Sequence, residues 1–180
     1  MVGDEQRYFY FANNLCHGFY SPAQLNLWNG PGYPILLMPF VFLKVPLISI
    51  TLFNAVLQYL SIILLYKSLI IYSNKKLAVF FSLCRASYFV TCQEMPNIIS
   101  ETFASFLVTS CIYFISNYFY TNKKLYLIGA VIIIGWLVLT KIIFGYVLLF
   151  SILIYLVVLL AKKYWLRQEL KKVKISFYCC

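Results

Sequence analysis

Only five side chains in this 180-residue sequence carry a carboxylate: Asp4, Glu5, Glu94, Glu101 and Glu169. A carboxylate held within hydrogen-bond reach of a hydroxyl can take its proton, so these are the first places to look for general-base chemistry. Lys141 and Arg7 are the nearby cations that would answer developing negative charge. Two carboxylate regions at one surface could also resemble the acid–base pair of a glycoside hydrolase, though nothing in the sequence favours that reading. His17 stands by itself in a loop and reads as structural. The six cysteines have no metal-type spacing, and Cys84, Cys92 and Cys111 lie inside apolar runs, where cysteine acts as a small packing residue.

The elements that must position these groups are written in the composition. Hydrophobic residues make up 63% of the chain, charged residues 11%, and mean hydropathy is +0.84. A globular domain carries about 25% charged residues, so this is a polytopic helical membrane protein. The fold class is all-α, since backbone in lipid must be satisfied within helices or a closed barrel and the runs lack barrel alternation. The formal charge of +10 does not point to nucleic acid. The basic residues fall in short clusters between apolar runs, where they orient a membrane protein.

About five transmembrane helices are expected. The apolar runs are 47–71, 77–92, 98–118, 125–140 and 142–161. The stretch from Leu125 to Ala161 would be ~55 Å long as one helix, nearly twice a bilayer core, and is divided at Thr140-Lys141. Asn74-Lys75-Lys76 and Asn122-Lys123-Lys124 end two of the runs. With five crossings, those lysines and the basic stretch from Lys162 to Lys174 share one side, the cytoplasm by the positive-inside rule. Asp4, Glu5, Glu94, Glu101 and Lys141 then share the outer side, and Glu169 alone among the carboxylates is cytoplasmic. The chain reads as one membrane domain: an outer loop over 1–46, transmembrane helices over 47–161, and a basic cytoplasmic tail over 162–180. Arg85 lies within the 77–92 run, where a charge faces an interior partner or a cavity.

Within the outer loop, Tyr8, Phe9, Tyr10, Phe11, Ala12 and Leu15 have the spacing of a short interfacial helix ended by Gly18. Gly30-Pro31-Gly32-Tyr33-Pro34 sets a rigid turn. Residues 35–43, bracketed by Pro39 and Pro46, are too short to cross and suit an outer-leaflet or re-entrant segment.

Taken in order, these features resemble the GT-C glycosyltransferases. The likeness is to the branch holding protein O-mannosyltransferases, aminoarabinose transferases and the RgtA/B/C/D-like proteins. It is carried by Asp4-Glu5, by Tyr8 and Ala12 four and eight positions after the Asp, and by Gly18 and the Gly-Pro-Gly-Tyr-Pro turn. Ile98-Ile99-Ser100-Glu101-Thr102-Phe103 and Gly135-Trp136-Leu137-Val138-Leu139-Thr140-Lys141 complete it, over roughly residues 4–145. The resemblance implies transfer of a sugar from a polyprenyl-phosphate carrier to a glycan, lipid or protein acceptor, in a bacterial inner membrane with the active face outward. It implies that Asp4, with Glu5 beside it, acts as or positions the base that activates the acceptor hydroxyl. Lys141, with Arg7, would face the donor phosphate. Glu101, or in its place Glu94, would bind a divalent metal (Mg²⁺ or Mn²⁺) or orient the substrates. Family members have a span before the Asp-Glu pair and many further helices, so the chain reads as a piece of a larger enzyme. The competing classes are a transporter or flippase, which would show repeats and broken helices with charges at midplane, and a non-enzymatic assembly subunit, which would need no outer carboxylates.

Overall fold

The computed structural model describes residues 4–20, 30–89, 93 and 96–178, the last sixteen of these as backbone only. Among them every regular element is a helix: α1 (Asp4–Cys16), α2 (Gly32–Phe42), α3 (Leu47–Tyr72), α4 (Lys75–Ala86), α5 (Ser100–Thr121), α6 (Lys124–Thr140) and α7 (Ile142–Tyr178). The all-α membrane class is what the sequence predicts. Three helical segments are long and apolar enough to cross a bilayer: Leu47–Tyr72, Ser100–Thr121 and Ile142–Lys162. The expected crossings at 125–140 and 77–92 correspond to shorter helices of 17 and 12 residues. At 1.5 Å per residue these reach about 26 Å and 18 Å. The division of the long apolar stretch falls where expected, with Lys141 between α6 and α7.

Helix ends follow local chemistry. Gly18 takes φ +85°, with Gly18 N–H on the Leu15 carbonyl and Phe19 N–H on that of Asn14, a Schellman closure of α1. Asn122, at φ 58°, ends α5 in the left-handed conformation that asparagine tolerates. Asn74 does not belong to the end of α3. Its side chain accepts from Leu77 N–H and starts α4.

The chain divides into two compact units, residues 1–142 and 143–180. In the first, α3 and α5 run parallel. Thr51 donates to the Pro96 carbonyl, Asn54 to that of Asn97 and Tyr72 to that of Ser116, separations of 45, 43 and 44 residues that fix a constant register. Asn54, Ser61 and Ser68 of α3 and Thr102, Thr109 and Ser116 of α5 are buried, each set spaced by seven. Small polar residues let membrane helices approach closely. Ser61, Ser68 and Thr109 return their hydroxyls to carbonyls of their own helix, whereas Gln58 Oε1 and Thr102 Oγ1 are buried with no hydrogen bond among the described residues. The α3–α4 and α5–α6 connections bring Lys75, Lys76, Lys123 and Lys124 to one end of this unit, opposite the Asn54–Asn97 contact. In the second unit the apolar part of the α7 helix is exposed all round from Tyr146 to Lys162.

Candidate active site

The polar end of the first unit is assembled from three segments far apart in sequence. α1 supplies Asp4, Glu5, Arg7 and Tyr8, the approach to α5 supplies residues 97–101, and the end of α6 supplies Lys141. The Lys141 ammonium donates to Glu101 Oε1 at 2.5 Å, with both side chains part-exposed. Each charge sits where a helix favours it: Glu101 in the first turn of α5, Lys141 at the C-terminal cap of α6.

α1 is tied to the same place. Glu5 Oε1 accepts from the Ile98 backbone N–H at 2.9 Å, and the Tyr8 hydroxyl shares a hydrogen bond of 2.9 Å with Ser100 Oγ. Residues 5 and 8 lie on one helical face, so a single side of α1 meets the chain just ahead of α5. Asp4 points elsewhere. It is exposed and pairs with Arg7 at 3.5 Å, one turn along α1. Arg7 therefore stands with the carboxylate of its own helix, while Lys141 stands with Glu101. Glu94 lies outside the described residues.

Aromatic rings carry the packing under this cluster. Tyr8 meets Tyr33 edge-on at 5.0 Å, Tyr33 meets Phe103 at 6.2 Å, and Phe103 meets Trp136 edge-on at 6.2 Å, joining α1, α2, α5 and α6. Tyr33 is completely buried. Burial pushes its phenol above the usual tyrosine range; the neighbouring Asn54 side chain opposes the shift, and Tyr8, Glu101 and Glu5 add to it. The Tyr8 phenol is raised for the same first reason, with Ser100 working against burial, Glu101 adding to it, Lys141 reducing it and Asp4 adding to it. Both phenols therefore stay protonated at neutral pH, and the carboxylates and Lys141 lie close enough for their charges to be felt at Tyr8.

The glycine turn holds the α6 end in place. A Cβ on Gly30 would stand 1.9 Å from the Leu139 carbonyl oxygen, and one on Gly32 would stand 2.7 Å from Thr140 N. Trp136 Nε1 donates to the Gly32 carbonyl at 3.1 Å. Only glycine permits this backbone-on-backbone approach, immediately before Lys141.

The expected site residues Glu5, Glu101 and Lys141 are thus brought together, with Asp4 and Arg7 on the exposed side of the same α1 turn. Tyr33, Asn54 and Trp136 join them, although sequence reasoning gave them no role. Tyr33 and Trp136 did stand inside the quoted motifs, and the burial of Asn54 follows from its seven-residue spacing with Ser61 and Ser68. Arg85 ends α4, where it bonds the Ser105 hydroxyl of α5. His17 rests on the Asn13 carbonyl at 2.8 Å. Among the described residues no three His, Cys, Asp or Glu side chains converge as metal ligands, and Glu101 is engaged by Lys141.

A family model described as dolichyl-phosphate-mannose-protein mannosyltransferase matches residues 31–179, which include Gly32, Glu101 and Lys141 but neither Gly30 nor α1. No curated protein and no solved structure matches the chain. The family match spans most of the sequence, and the chain belongs to the dolichyl-phosphate-mannose-protein mannosyltransferase family of GT-C membrane glycosyltransferases.

Proposed function

We propose that the polar end of this unit takes part in transfer of a sugar from a polyprenyl-phosphate donor to an acceptor hydroxyl, on the face of a bacterial inner membrane away from the cytoplasm. The observation that carries this reading is the Glu101–Lys141 pair set beside the acidic end of α1, in a chain of this family. Asp4, exposed and paired with Arg7 of its own helix, takes the acceptor proton as the acceptor oxygen forms its bond to the anomeric carbon. The bond from that carbon to the phosphate oxygen breaks, and its electron pair leaves on the lipid phosphate. Lys141, held by Glu101, faces the charge that grows there, and Arg7 adds a second cation at the aqueous edge. Lysines at the opposite end, on Lys75, Lys76, Lys123 and Lys124, support the cytoplasmic placement of that end.

The test is a transfer assay in membranes with radiolabelled polyprenyl-phosphate sugars, on this chain and on any longer reading frame around it. Asp4→Asn is expected to lower the rate by ~10²–10⁴-fold, the range for loss of a general base. Lys141→Met is expected to lower it by ~10²–10³-fold, as for removal of one charge-stabilising donor. Wild-type rates in Asp4→Asn, at normal membrane abundance, would remove Asp4 from this role. Absence of transfer across a broad donor panel in every frame would refute the transferase reading.

A further inference from the structure

We infer that Glu5, the second acid of the Asp-Glu pair, is a positioning residue that pins α1 to the start of α5, leaving proton transfer to Asp4. Adjacent residues on a helix are turned about 100° from one another and do not face the same partner. The two acids accordingly part company: Asp4 is exposed beside Arg7, whereas Glu5 is directed to the Ile98 amide.

That amide matters because of where it lies. Ile98 is buried, and its N–H sits two residues ahead of α5, where no helical carbonyl is available to it. The Glu5 carboxylate supplies the acceptor, and a negative group there also suits the positive end of the α5 dipole. One turn further along α1, Tyr8 repeats the attachment at Ser100. The next residue, Glu101, holds Lys141. A continuous line of polar contacts therefore runs from Glu5 through residues 98–101 to Lys141, and displacing α1 moves both ends of the candidate site at once.

Glutamine at position 5 keeps a carbonyl oxygen able to accept from Ile98 N–H but has no ionisable proton acceptor. Alanine keeps neither. The inference rests on the transfer reading for its kinetic arm only; its other arm needs no activity. The experiment is amide hydrogen exchange over residues 96–99 of the full chain in lipid nanodiscs, with transfer rates and their pH profiles measured on the same samples. Wild type, Glu5→Gln, Glu5→Ala and Asp4→Asn are compared. Glu5→Ala is expected to speed exchange at Ile98 by about fivefold to tenfold, the equivalent of one lost hydrogen bond, and to lower the transfer rate. Glu5→Gln is expected to restore both and to leave the pH profile where it was, while Asp4→Asn keeps Ile98 protected and loses transfer. Protection unchanged in Glu5→Ala would overturn the inference. So would a Glu5→Gln protein that keeps Ile98 protected yet is as inactive as Asp4→Asn, since the carboxylate itself would then be needed for chemistry. If Glu5→Ala fails to fold, a folded Glu5→Gln protein with Ile98 protected supports the pin, and one with Ile98 exposed refutes it. Should wild type transfer nothing, the transferase reading fails and the exchange comparison still decides the role of Glu5.

Discussion

Replacing Gly30 with alanine adds one methyl group at a buried site against the end of α6. The ideal Cβ at position 30 falls 1.9 Å from the Leu139 carbonyl oxygen and 2.8 Å from its carbon. Non-bonded carbon contacts settle near 3.5 Å, so the turn or the α6 end must give way by on the order of 1.5 Å. Neither is a flexible side chain. The Leu139 atoms are backbone in the last turn of α6, and the turn is held from the other side by the Trp136–Gly32 bond and by Tyr33 in the core. Overpacking of this kind costs about 1–3 kcal/mol. The larger consequence falls on position 141, two residues past the clash, whose ammonium is seated on Glu101. A displacement of ~1 Å in a positioned group can cost ~10²-fold in rate.

Thermal unfolding followed by tryptophan fluorescence, together with the transfer rate, measures both effects. Gly135→Ala is the control. It lies on the same helix within a motif shared with the family, but its Cβ would meet nothing within 4 Å. Alanine there is expected to be neutral or to stabilise by about 0.5–1 kcal/mol, as alanine does over glycine within a helix. The reasoning fails if Gly30→Ala unfolds and transfers like wild type, or if Gly135→Ala is equally damaging.

Two further outcomes follow from buried polar groups. Thr102 Oγ1 is buried without a hydrogen-bond partner, so the near-isosteric Thr102→Val is expected to be neutral or to stabilise by up to ~1 kcal/mol, and a loss of more than that in a denaturation midpoint would show that the hydroxyl is in use. Burial pushes the Tyr20 phenol up to about 12, so the folded chain holds that proton more tightly than the unfolded one. Its contribution is fully present below the unfolded value of ~10 and is lost as pH rises toward 12; a Tyr20→Phe variant should lose stability less steeply over that window, and identical slopes would refute the assignment.

Much of the scaffold is legible because lipid imposes one-dimensional rules. α3, α5 and the apolar part of α7 are long, predominantly apolar segments. The break at Lys141 follows from length alone, since one helix through 125–161 would overshoot the bilayer. Gly18 ends α1 because a left-handed residue is required there, a local need that sequence displays. Asn74 was less transparent. Hydropathy places it after α3, while its cap on Leu77 assigns it to α4, and nothing in an apolar profile separates the two. The 77–92 run likewise looks like one segment, although α4 ends at Ala86. At the site, residue type gave the acids and Lys141 but not their partners. Glu5 meets an amide 93 residues away, and the need for glycine at position 30 becomes visible only when Leu139 is brought against it. Spacing along a chain contains no information about which distant backbone group lacks an acceptor.

That last point explains why the chemistry gathers at one end of this bundle. Along the interior of a membrane helix every backbone group is satisfied, and polar side chains such as Ser61 or Thr109 can only fold back onto their own carbonyls. At the starts of helices, free N–H groups must find partners, and the one on Ile98, just ahead of α5, finds Glu5. The dipoles at helix ends also decide which charges are tolerated: a carboxylate at the start of α5 and an ammonium at the close of α6. Glu101 and Lys141 are therefore favoured separately by their helices and again by each other. A pair so placed is only part-buried, where ion pairs contribute ~1 kcal/mol or less to stability. Neutralising Lys141 should then leave the bundle folded while lowering transfer, which is the separation the proposed substitution at Lys141 relies on.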